Sequence, residues 1–133
     1  MAEPVEELVR VVRVRRGGLK PSEFQLRPGE VGLSLFEYRD DPGPARLIRA
    51  VREAGKQGDL ATALIPVRLL RELGLVVVPT PGGTPDAEVN TLHREARVKW
   101  TVRLWLWLRR GPVHEYFNER FAAPLCESAR LEE

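Results

Sequence analysis

The chain has 133 residues, 43% hydrophobic and 30% charged, which describes one globular domain and excludes a disordered chain. Its 21 Lys and Arg against 19 Asp and Glu leave a net charge of +2, too near balance for the field of a dedicated nucleic-acid binder. One cysteine, Cys126, excludes an intrachain disulfide and a Cys-based zinc site, and suits a reducing cytoplasm.

The first seven residues are acidic and lack the apolar core of a signal peptide. No apolar run approaches the about 20 residues of a membrane span, so no membrane partner is expected. The expected location is the cytoplasm, or outside the cell by a leaderless route as an injected effector. Nucleic acid is an unlikely partner on charge alone.

Residues 8–16 read as the first strand, with Leu8, Val9, Val11, Val12 and Val14 among Arg10, Arg13, Arg15 and Arg16. Gly17 and Gly18 end it. A polar connection follows, in which Arg27-Pro28-Gly29-Glu30 suits a type II turn, and Phe24 and Leu26 are expected to tuck onto the core. Residues 31–38 are the second strand. Leu33 and Leu35 alternate there with Ser34 and Phe36, so Ser34 faces away from the leucines. Asp41 or Gly43 caps a helix that starts at Pro44, with Leu47, Ile48 and Val51 inside and Arg46, Arg49 and Arg52 solvated.

Residues 60–65 form a short strand. Pro66 opens a short helix over Val67, Leu70 and Leu73, closed by Gly74. Residues 75–78 are a compact buried strand, and the Pro/Gly-rich stretch 79–85 is a loop able to border a site. One helical turn is expected within 86–92. Residues 98–108 then read as the central strand. Val98, Trp100, Val102, Leu104, Leu106 and Leu108 fall on alternate positions, and the second half is apolar on both faces. Trp100, Leu104 and Leu106 are therefore expected to be buried; a helix with Trp100, Leu104, Trp107 and Leu108 as its stripe is the competitor. After Gly111-Pro112, Val113, Tyr116, Phe117 and Phe121 mark an amphipathic helix that Pro124 should stop. The sum is one α+β domain spanning residues 1–133, a curved mixed sheet with small flanking helices.

The two histidines, His93 and His114, lie on separate elements, so no metal site is expected; His93 could act as a general base. No Walker lysine motif, dinucleotide glycine motif or nucleophile elbow is present. The four arginines of the first strand grip phosphate or simply blunt an exposed edge. Trp100, Trp105 and Trp107 could stack bases, but their leucine neighbours point to a core.

Three segments fall into an order. Arg10 lies on the first strand, the second carries Gly32-Leu33-Ser34-Leu35-Phe36-Glu37, and Glu95 within Leu92-His93-Arg94-Glu95-Ala96-Arg97 opens a late strand. This order resembles the Arg–Ser–Glu arrangement of ADP-ribosyltransferase-like bacterial toxins, in particular small effectors delivered by type VI secretion. The resemblance covers those three segments only. It implies a split, curved ADP-ribosyltransferase-like sheet with a cleft for NAD as substrate, and an immunity or antitoxin protein as partner. Arg10 would hold the NAD phosphates or ribose, and Ser34 would brace the nicotinamide half. Phe36 or Tyr38 would stack on it, and Glu95 would stabilise the cationic sugar as nicotinamide leaves. The second motif lacks the Ser-Thr-Ser form, and no Glu-x-Glu or Gln-x-Glu precedes Glu95. NAD hydrolysis or simple NAD binding then takes the place of protein transfer. The alternative is a non-enzymatic accessory or protein-interaction module, in which the arginines and Glu95 make ordinary surface ion pairs.

Overall fold

A computed structural model describes residues 6–14, 16 and 18–132. These form an α+β domain on one six-stranded sheet. In chain order the elements are β1 (Glu7–Arg13), β2 (Gly32–Glu37), α1 (Pro44–Glu53), β3 (Leu60–Pro66), α2 (Val67–Glu72), β4 (Leu75–Pro79), α3 (Ala87–Asn90), β5 (His93–Val98), α4 (Trp100–Leu108), α5 (Val113–Ser128) and β6 (Arg130–Leu131). A 3₁₀ turn covers Pro21–Phe24. The strands lie in the order β4-β5-β2-β1-β3-β6, and every neighbouring pair is antiparallel. The expected mixed sheet is thus corrected to an antiparallel one. Nor is the sheet split in two, although β1 and β2 share only the pairs Leu8↔Glu37 and Val9↔Phe36.

Both faces are covered. On one, Leu8, Val12, Leu33, Leu35 and Ile65 lie beneath Phe24, Leu70 of α2 and Phe117 of α5. On the other, Val9, Val11, Phe36 and Leu64 meet Leu47 and Ala50 of α1 and Val89 of α3. Alternate residues of one strand serve two apolar layers, so β1 and β2 read as almost continuous apolar runs. Phe24 and Leu26 are buried as the sequence suggests, and the Arg27–Glu30 turn closes with Gly29 at φ 88. Of the first-strand arginines, Arg15 lies outside the described residues.

Three elements depart from expectation. The central strand proposed for residues 98–108 is a helix, α4, and only Val98 of that stretch belongs to the sheet. The reason lies in the ladders. Arg97 pairs with Gly32, the first residue of β2, and Val98 pairs with Leu75, the first residue of β4. Beyond them neither neighbour offers backbone, so the chain must satisfy its amides internally, and a helix does that. Leu106 is buried at 5% exposure, but Trp100 at 75% and Leu104 at 47% face out, against the expectation of burial. Second, β4 is an edge strand and its Val76 is exposed. Third, Pro124 lies inside α5 rather than ending it. It removes the bond to the carbonyl of Arg120, an exposed residue whose carbonyl water can serve, while Phe121, Ala122 and Leu125 hold both halves against the core.

Truncation should separate the two leucines of α4. Leu106→Ala should cost about 2–5 kcal/mol in chemical denaturation, as buried leucines do. Leu104→Ala should stay within about 0.5 kcal/mol of wild type, as surface changes do.

Candidate functional site

Past Val9, β1 and β2 are no longer paired, and Arg10 reaches across between them. Its Nη1 donates to the Ser34 carbonyl of β2 at 2.8 Å, and its Nε donates to the Glu23 carbonyl of the 3₁₀ turn. A side chain thus replaces the missing ladder bonds. The guanidinium is enclosed deeply enough that desolvation draws its pKa down to about 10, against the opposing pull of Glu23 and Glu30. Nη2 has no protein acceptor among the described residues. Every sealed side-chain polar atom there has a partner, so Nη2 keeps accessible surface. Arg10 lines a cavity of about 280 Å³ that lies where β1 and β2 part.

Lys56 shares that cavity. It follows Gly55, whose φ of 117 turns the chain back at the end of α1. Its Nζ donates to the Val11 carbonyl at 2.7 Å and lies 3.5 Å from Glu23 Oε1. Burial, then the positive charge of Arg10, lowers its pKa to about 8. Glu23 is itself buried and also accepts the Arg13 amide at 2.8 Å. Glu23 thus meets both cations, Lys56 through its carboxylate and Arg10 through its backbone carbonyl. Arg27 and Glu30 add one charge of each sign to the lining.

The opposite wall is aromatic. Phe36 and His93, cross-strand partners on β2 and β5, meet edge to face with centroids 5.1 Å apart. His93 Nδ1 contacts the Thr80 carbonyl at 2.7 Å and Thr80 Oγ1 at 2.8 Å. A carbonyl only accepts, so Nδ1 carries a proton in that bond. Gly83 and Thr84 border the cavity from the Pro/Gly-rich loop. Asn90 holds this loop: its Oδ1 accepts from the Thr84 amide and hydroxyl, and its Nδ2 donates to the Thr84 carbonyl. Asp86 caps α3 and takes two bonds from Arg46, at 2.7 and 3.1 Å. Arg46 holds its carboxyl below the usual carboxylate range. So Arg46, expected to be solvated, ties α1 to the loop.

Arg10, Ser34 and Phe36 line one cavity. Glu95 stands directly opposite Ser34 in the ladder but does not line the cavity; its Oε1 accepts from Arg97 Nε at 2.9 Å and Nη2 at 2.7 Å. Tyr38 lines a separate depression with Val9, Pro42 and Leu47. Lys56, Glu23, Asn90 and Thr84 escaped sequence reading, because no local pattern marks them. The border loop was recognisable from its prolines and glycines. Among the described residues, no cluster of three or more His, Cys, Asp or Glu is placed to hold a metal ion, and no helix is long and apolar enough to cross a membrane.

Comparison of the chain with protein-family models, with curated proteins and with solved structures yields no match in any of the three.

Two consequences follow from this geometry. The Glu95–Arg97 pair lies across Gly32, where an added Cβ would meet Arg97 Cγ at 2.7 Å and Glu95 Oε1 at 3.0 Å. Gly32→Ala should cost about 1–3 kcal/mol in urea denaturation, since neither group has room to withdraw without breaking the pair. The lowered pKa of Lys56 acts on pH dependence. Between about 8 and the unfolded value of 10.5 the unfolded chain binds more protons, so Lys56 adds stability as pH rises through that window and nothing below it. Lys56→Met should flatten the slope of the denaturation midpoint between pH 8 and 10.5.

Proposed function

We propose that this domain is a binding module for a small anionic ligand bearing a planar ring, with a nucleotide of the NAD type as its ligand class. The observation that carries this is the pair of cations, Arg10 and Lys56, lining one cavity, with the Glu23 carboxylate 3.5 Å from Lys56. Cations that have given up water gain most from an acceptor that replaces it, and phosphate oxygens do so with charge-assisted hydrogen bonds. Phe36 and His93 offer a wall for a ring. At about 280 Å³ the cavity lies at the lower end of ligand pockets, which suits a phosphate and one ring-bearing half of a dinucleotide.

One observation favours turnover as a second reading. Ser34 and Glu95 face each other across the β2–β5 ladder, so Glu95 could reach the cavity rim by releasing Arg97. Its carboxylate would then stand against the cationic sugar as nicotinamide departs, giving NAD hydrolysis or ADP-ribosyl transfer. An effector role with an immunity or antitoxin partner belongs to this second reading.

Calorimetry with inorganic phosphate, ADP-ribose and NAD tests the first. ADP-ribose and NAD should bind, and Lys56→Gln should weaken both by about tenfold or more, the worth of a hydrogen bond to a charged group. Because Lys56 must be protonated to hold the anion, affinity should fall as pH rises past about 8. Absence of binding by all three ligands would refute the proposal. Nicotinamide release that Glu95→Gln abolishes would establish turnover, whereas NAD binding without release would leave a binding module.

A further inference from the structure

The helix α4 turns its apolar side away from the protein. Val102 and Leu106 face inward, one turn apart, and Trp105 lies against Tyr116 with Arg109 over its ring at 4.5 Å. Trp100, Leu104, Trp107 and Leu108 fall at i, i+4, i+7 and i+8, and all four are exposed, the two tryptophans at 75% and 74%. Scattered exposed apolar residues are ordinary, but four large ones on one helical stripe mark an interaction surface. The charges on α4 and its flanking residues have one sign. Lys99, Arg103, Arg109 and Arg110 are all exposed, and residues 99–114 contain no Asp or Glu, in a chain whose cations exceed its anions by only two.

We propose that α4 attaches the protein to the surface of a bilayer that contains anionic phospholipid, lying in the plane of the interface without crossing it. Two observations select that occupant. The cationic rim calls for a negative surface, and it disfavours a second copy of the same face, which would bring like charges together. The stripe offers almost no directional groups, only Thr101 and two indole N–H groups, whereas protein interfaces carry about one hydrogen bond per 100–200 Å². Indole rings with a free N–H beside arginines suit the boundary between headgroups and acyl chains. Surface attachment does not need the length of a spanning helix, so it stands beside the absence of such a helix among the described residues. This proposal does not depend on the cavity or its ligand.

All three tryptophans of the chain lie on α4, so tryptophan fluorescence, excited selectively, reports on this helix alone. The experiment titrates the protein with phosphatidylcholine vesicles, with and without about 30% phosphatidylglycerol, following emission wavelength and co-sedimentation. The expected result is a blue shift and sedimentation with the anionic vesicles only, weakened by added salt. Leu104→Glu should lower partition by about tenfold or more, since it places a charge at the centre of the apolar stripe. Arg103→Gln with Arg110→Gln should lower it as well while leaving the apolar stripe intact, and this variant decides the matter if Leu104→Glu disturbs folding. Absence of binding to anionic vesicles, or equal binding to neutral ones, would overturn the proposal. So would a dimer in light scattering that Leu104→Glu dissolves, because a second copy would then cover the face.

Discussion

Arg10 bridges a gap that hydrogen bonds between strands leave open. β1 is paired with β3 over seven residues but with β2 over only two, and the guanidinium spans the remainder by donating to the carbonyls of Ser34 and Glu23. Those bonds join the middle of the sheet to the 3₁₀ turn, which itself covers the core through Phe24. They also bring a cation into the protein, where its cost must be offset by acceptors and by a neighbouring carboxylate. The rest of the site is arranged around that requirement. Glu23 is buried beside the cation, the connection before β2 folds inward to deliver it, and a cavity remains where the ladder is missing.

The surrounding elements fix this cavity from three directions. The end of α1 presents Lys56 after a glycine turn, and β2 and β5 present Phe36 and His93 as a cross-strand pair. The loop before α3 is held by Asn90 and by the Arg46–Asp86 bond. Each anchor is a polar group whose hydrogen bonds are made within the protein, so the loop is placed by specific contacts rather than by apolar burial. Apolar packing on both faces of the sheet supplies the frame, and polar contacts decide where the opening falls.

α4 shows the opposite balance. Val102 and Leu106 face inward, but Trp100, Leu104, Trp107 and Leu108 stand exposed. A chain that exposes four large apolar residues on one helix loses the burial those side chains would otherwise contribute. That cost is understandable where the side chains meet another surface. The cavity and α4 therefore place two distinct kinds of surface on one small domain, one polar and concave, the other apolar and convex.

Much of the frame was legible in the amino-acid sequence. The β-branched run of β1, alternation in β2, Pro44 and Pro66 at helix starts, Gly74 at a helix end and the Pro/Gly-rich loop all express local steric rules, and the structure follows them. That Arg10 shares a cavity with Ser34 and Phe36 was not legible, because alternation sets Arg10 with Leu8 and Val12 on the face opposite Phe36, and only the parting of β1 and β2 lets the three line one cavity. Nor was the helix at 100–108. Its alternation fits a strand, and only the tertiary arrangement shows that β2 and β4 have no backbone left to pair beyond Arg97 and Val98. Pro124 repeats the lesson, since burial on either side of it keeps a helix that the local rule would end. The positions of Lys56 and Glu23 were likewise decided by the fold alone. Both lie in connections, and what gives them meaning is a gap between two strands that no local pattern records. Local chemistry thus determined which elements form, and non-local pairing of backbone and charge determined where they end and what lies between them.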